Sequence, residues 1–151
     1  MRYFTKQLWK DINSSDEQIR LQAEKTWDQN DRDYSAVFSA VRHLFPSNFV
    51  NTFLEAGGFH DWQICGIHVE SMVGEHRCRL ELQTDEKAVT LSFEGLQRMA
   101  LDIPKLDAGM EDTLSWGYCE LAAEQDGLLS VNVLCDEESE LLFICKSVVV
   151  K

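Results

Sequence analysis

From residue 106 to residue 145 the chain contains no lysine, arginine or histidine. A stretch of that length without a base cannot hold a phosphate backbone or an anionic lipid surface by charge, and the pI of about 4.6 extends the argument to the whole chain. Neither nucleic acid nor a membrane is therefore expected as a partner. Long apolar runs are missing as well. Nothing approaches the ~18 residues of a membrane-spanning helix, and residues 1–9 hold no apolar run of signal-peptide length. Both absences point to the reducing cytoplasm. Cysteine is not scarce, but the five present (Cys65, Cys78, Cys119, Cys135 and Cys145) are odd in number and form no Cys-x-x-Cys. A disulfide framework is not expected, and each thiol reads as a small buried hydrophobe. Phosphate-binding glycine patterns and the Gly-x-Ser-x-Gly nucleophile turn are also absent.

What the base-free stretch does contain is ten carboxylates: Asp107, Glu111, Asp112, Glu120, Glu124, Asp126, Asp136, Glu137, Glu138 and Glu140. The chain as a whole has 26 acids and 14 bases, net -12, so the remainder of the sequence is nearly neutral. A concentrated field concerns partners, whereas a diffuse excess concerns solubility. The other bulk values are ordinary for a folded domain: 44% hydrophobic and 26% charged, with four Trp and eight Phe for a core. A chain of 151 residues needs no metal or disulfide to fold, and it reads as one domain over 1–151.

That domain has two parts with different periods. Residues 1–58 are helical by apolar spacing. Ser14 or Ser15 can cap a helix opening on Asp16 and Glu17, and Ala23, Trp27, Tyr34, Val37, Val41 and Leu44 stack on one face. The polar run from Asp28 to Asp33 is poor helix material, a place where this helix can break. Phe49, Phe53 and Leu54 form a shorter stripe that Gly57 and Gly58 stop.

Over 59–151 the period is two. Cys65, Ile67 and Val69, then Cys78, Leu80 and Leu82, then Val89, Leu91 and Phe93 alternate with polar neighbours, as in strands buried on one face. If the first two sets share a face, an odd residue opposes an even one. The simplest hairpin pairs Ile67 with Cys78 and Cys65 with Leu80, and closes through Ser71, Met72, Val73 and Gly74. Residues 97–115 are irregular. Three more strands are expected at 116–121, 128–134 and 140–150, with a hairpin turn at Asp126 and Gly127. The architecture predicted is α+β: two or three N-terminal helices, then a roughly six-stranded antiparallel sheet.

Candidate chemistry is sparse. His60 and Asp61 stand where the helical part hands over to the first strand, and a carboxylate beside a histidine can orient it as a base or ligand. Adjacent side chains diverge, however, so local packing is the plainer account of the pair. His68, Glu70 and His76 fall on opposite faces in the expected register, and no metal is expected there. Asp136, Glu137, Glu138, Ser139 and Glu140 lack the ligand spacing and central glycine of a calcium loop. No cofactor is implied.

The acidic block is the stronger signal. Glu120, Glu124, Asp126, Asp136, Glu137, Glu138 and Glu140 are the expected contact residues for a basic protein, because a focused negative face speeds association with a positive one. The reading is a non-catalytic binding module. The alternatives are a divalent-ion or small-molecule sensor built on the acidic loops, and a hydrolase-like enzyme using His60 and Asp61. A homodimer through the apolar run 141–150 is a further possibility.

Tyr3, Phe4, Thr5, Lys6, Leu8, Trp9, Ile12 and Asn13, at their spacing, resemble the start of a family of uncharacterised bacterial proteins, domain of unknown function 4085. Phe59-His60-Asp61, entering an Ile-containing strand, also resembles a pattern in small bacterial α+β families, some of them immunity proteins that neutralise toxins passed between competing bacteria. The resemblance implies a bacterial cytosolic protein and supplies no catalytic residues.

Overall fold

The protein, seen in a computed structural model, is described over residues 1–103, 114–135 and 139–151. Three helices come first: α1 (Lys6–Ile12), α2 (Glu17–Val41) and α3 (Ser47–Glu55). Eight strands follow: β1 (Trp62–Met72), β2 (Glu75–Gln83), β3 (Ala88–Glu94), β4 (Arg98–Asp102), β5 (Ser115–Ala123), β6 (Leu129–Cys135), β7 (Glu140–Cys145) and β8 (Ser147–Val150). The α+β class and the antiparallel pairing agree with the sequence. The strand number does not: among the described residues there are eight, in the order β4-β7-β6-β5-β1-β2-β3-β8. Two causes account for the difference. The apolar run 140–150 is interrupted at Lys146, and residues 98–102 form a strand within a stretch that alternation had left irregular.

These breaks shape the sheet. Phe93 opposes Val148 in the β3–β8 pair, and Met99 opposes Phe143 in the β4–β7 pair. Lys146 N–H donates to the Glu94 carbonyl at 3.0 Å and Gln97 N–H to that of Ile144 at 2.8 Å. β4 thus follows β3, and β8 follows β7, along one bent ladder. The sheet curls until its two ends share that ladder. β7 lies between β4 and β6, and β8 pairs with β3 and touches α3. Within the apolar run 141–150, Leu141, Phe143, Cys145 and Val148 are buried in the core, while Leu142, Ile144, Val149 and Val150 are half-buried.

Inside the curl lie Leu80, Leu91, Phe93, Leu121, Val131, Leu141 and Phe143, all with essentially no exposure. α3 adds Phe49 and Phe53, and a chain of ring contacts runs from Phe45 through these to Phe59, Trp62 and Trp116. Each such ring contributes roughly 1.5–3 kcal/mol by leaving water. Helical and β-rich parts thus share one core. Gly57 stops α3 by taking φ 60, a left-handed conformation that costs glycine little.

Three local expectations need correction. α2 does not break at its polar run. Asp28, Gln29, Asp31, Arg32 and Asp33 are exposed, Gln29 and Asp33 bond at 2.9 Å across one turn, and Trp27 and Tyr34 hold the inner face on either side. Its N-cap is Asp16, whose carboxylate accepts from Gln18 and Ile19 N–H, in place of Ser14 or Ser15. The first hairpin keeps the expected parity but slips by two, with Ile67 opposite Leu80 and Val69 opposite Cys78. A bulge between Ile64 and Gly66 removes Cys65 from the inward set, and Cys65 is exposed. The other four thiols are buried; burial pushes Cys78 up to about 11 and Cys145 up to about 12.

On the outer face of β1–β3, Arg77 Nε bonds Glu94 at 2.5 Å and Ser92 Oγ bonds it at 2.6 Å. Partial burial of Glu94 opposes ionisation, but these two donors overcome it and hold its carboxyl below the usual value. A depressed carboxyl stabilises the fold above its unfolded value of about 4.3 and loses that contribution as pH falls through the folded value. The urea midpoint should therefore fall on acidification below about pH 4.5, and Glu94→Gln should flatten that fall. Identical pH profiles for the two proteins would contradict this.

Candidate functional site

The outer face of β5 is covered by the chain's own beginning. Strand alternation turns Tyr118 and Glu120 outward, opposite to Cys119 and Leu121, and residues 1–5 run over them. Glu120 accepts three backbone N–H groups there, from Arg2 at 2.8 Å, Tyr3 at 2.7 Å and Phe4 at 2.8 Å. Phe4 enters a slot formed by Trp27, Tyr34 and Tyr118, with ring centres 5.0, 5.6 and 5.5 Å away. The Asn30 amide holds the Tyr3 carbonyl at 2.8 Å. The Met1 amino group donates to Glu140 at 2.6 Å, and Lys6 pairs with Asp102.

Two of the seven acidic residues expected at a contact face are engaged within the chain itself. Glu120 is only 6% exposed, and Glu140 is tied to Met1. A period-two pattern marks both as outward, and it cannot register that another segment lies on top. Glu124 and Asp126 are exposed at the β5–β6 turn, where Asp126 takes φ 59 and Gly127 φ 73, as a tight Asp-Gly hairpin needs. Asp136, Glu137 and Glu138 lie outside the described residues, as do Asp107, Glu111 and Asp112.

His60 and Asp61 do meet, contrary to the expected divergence. Asp61 adopts φ 65, its N–H donates to the Trp116 carbonyl at 2.8 Å, and its carboxylate reaches His60 Nδ1 at 2.9 Å. The imidazole also packs edge-on against Tyr118 at 5.0 Å. Burial, then the Asp61 charge, raise the Tyr118 hydroxyl above its ordinary value. Beside the pair is a recess of about 30 Å³, lined by Trp9, Gly117 and Leu134 among others. That is room for a water or two. Gly117 closes its floor: a Cβ there would sit 2.6 Å from the Leu134 carbonyl oxygen. His68 faces Glu81 at 3.6 Å, whereas His76 bonds Ser71 at 3.1 Å on the other side of the strand. Among the described residues no three His, Cys, Asp or Glu side chains converge as a metal site would require.

Sequence reasoning missed a larger cleft of about 260 Å³ between residues 1–3, α2 and the β5–β6 pair. Its lining includes Tyr34, Val37, Glu120, Glu124, Ser130 and Asn132. Tyr34 accepts the Leu121 N–H at 2.6 Å, and burial pushes its phenol well up, so it stays protonated. Ser130 is fully buried and its hydroxyl has no hydrogen-bond partner. The alternation Ser130, Val131, Asn132, Val133 does place the two polar residues on the outer face. Nothing in it says that α2 closes over them. A second, wider groove of about 560 Å³ separates α1 from α2 and is lined by a mixture of apolar and amide side chains, among them Leu8, Ile19, Gln18 and Gln22.

No protein-family model matches this chain, and no curated protein sequence matches it. Among the described residues, no helix is long and apolar enough to cross a membrane.

Proposed function

We propose that this protein is a non-catalytic binding module that captures a basic protein, an immunity-type inhibitor of a basic toxin being one instance. The observation that carries the reading is the division of labour among the acids. Glu120 and Glu140 hold the chain's own first residues, while Glu124 and Asp126 stand exposed within a 40-residue stretch that has no base to neutralise them. Asp136, Glu137 and Glu138 add charge to the same stretch. We assign the recognition surface to the end of the β5–β6 pair that carries Glu124 and Asp126. His60 and Asp61 lie open to solvent beside a recess with room for a water or two, an arrangement that favours binding over hydrolysis.

The test is a pull-down from the native cell with the tag at the C-terminus, eluted in a salt gradient, followed by kinetics on the captured protein. The on-rate is expected to fall about tenfold or more between low and high salt. Neutralising Glu124, Asp126, Asp136, Glu137 and Glu138 together should slow association with little change in melting temperature. An on-rate indifferent to salt overturns the reading.

A further inference from the structure

We propose that the cleft between α2 and the β5–β6 pair is a receptor for a guanidinium group, carried in the first instance by an arginine side chain of the basic partner. This rests on the binding reading above and names the place where that partner is gripped. At about 260 Å³ the cleft falls just below the ~300 Å³ at which ordinary ligand pockets begin. It is the size for one side chain.

Its chemistry is that of an acceptor site. Ser130 is fully buried, lines the cleft, and leaves its hydroxyl oxygen without a partner. A buried polar atom in that condition is costly until something bonds it. Glu120 has roughly four acceptor positions on its carboxylate, of which the Arg2, Tyr3 and Phe4 N–H groups fill three. Glu124 is exposed, lines the same cleft and forms no ion pair with any described residue. Acceptors at several points suit the five N–H donors of a planar guanidinium better than the compact, strongly hydrated ammonium of lysine. The apolar wall is right for the methylene stem, since Val37 and the Tyr34 ring also line the cleft. Met1 and Arg2 line the cleft as well, but both of their charges are engaged: the Met1 amino group bonds Glu140, and the Arg2 guanidinium lies over the Tyr3 ring, 5.3 Å from its centre.

The experiment titrates labelled protein with three probes: a short peptide with one central arginine, its citrulline counterpart, and free arginine amide. The arginine peptide should move the amide signals of Leu121, Ala122, Ser130 and Asn132 saturably. The citrulline peptide, equal in shape but uncharged, should bind about tenfold more weakly or worse. The double variant Glu124→Gln, Ser130→Ala should weaken the arginine peptide by about tenfold while keeping the native melting temperature. Comparable binding of free arginine amide identifies a small guanidinium compound as the ligand, and binding by the peptide alone identifies a protein side chain. Equal affinity for the arginine and citrulline peptides overturns the proposal, and so does the absence of saturable shifts with every probe. The two readings fail separately. If the double variant still captures the basic partner with unchanged affinity, the cleft assignment falls and the binding module stands. If the arginine peptide binds but no basic partner is ever captured, the converse holds.

Discussion

Replacing Glu120 by alanine is expected to lower the stability of this protein by about 3 kcal/mol or more, because removing a buried charged acceptor leaves its donors stranded. Three backbone N–H groups converge on that one carboxylate, and none of the three has a helix or strand partner. For a chain of this length the loss corresponds to roughly 6–12 °C in melting temperature. Glu120→Gln should do little better, since one end of the amide would point a donor at an N–H group. The damage is also expected to be local before it is global. Phe4 is held by aromatic contacts as well as by its N–H, so residues 1–5 should loosen ahead of the sheet. Amide exchange at Arg2, Tyr3 and Phe4 should quicken in Glu120→Gln even under conditions where the core strands stay protected. Unchanged exchange at these three amides, with an unchanged melting temperature, would show that aromatic packing alone seats the segment.

Glu120 also marks the limit of what the sequence discloses. Alternation in β2 is clean, and the inward set Cys78, Leu80 and Leu82 is fully buried as the pattern requires. Alternation in β1 is equally clean to the eye, yet a bulge after Ile64 shifts it and exposes Cys65. A bulge is a backbone event with no fixed residue signature, so parity survives where register does not. In α2 the polar run reads as a possible break because its residues are weak helix formers. Tertiary anchoring at Trp27 and Tyr34 outweighs a preference of a few tenths of a kcal/mol per residue. The candidate site divides in the same way. Asp126 with Gly127 is a local signal and lies at the turn expected. His60 and Asp61 were visible as neighbours, but their contact depends on the left-handed φ of Asp61. Glu120 and Ser130 owe their roles to segments about 117 and 90 residues away, and no local pattern encodes an approach of that kind.

The closure of the sheet carries the second large expectation. Phe93 on β3 and Phe143 on β7 stack face to face, 4.1 Å between centres and 7° from parallel, with no exposure of either ring. They belong to different strand pairs, on either side of the bend where β3 passes to β4 and β7 to β8. Their contact is what fastens one half of the curled sheet to the other from within. Phe143→Ala should cost about 3–5 kcal/mol, the range for emptying an aromatic site in a close-packed core. That is a large part of the ~5–15 kcal/mol available to a domain, and the variant can be expected to populate unfolded chains near 37 °C. The milder pair Phe93→Leu and Phe143→Leu keeps most of the volume and allows a double-mutant cycle. If the rings interact as a stack, the cycle should return a coupling of about 0.5–1.5 kcal/mol beyond the two separate losses. A coupling near zero would mean that each ring contributes through burial alone, and that the Lys146–Glu94 and Gln97–Ile144 backbone bonds close the sheet without them.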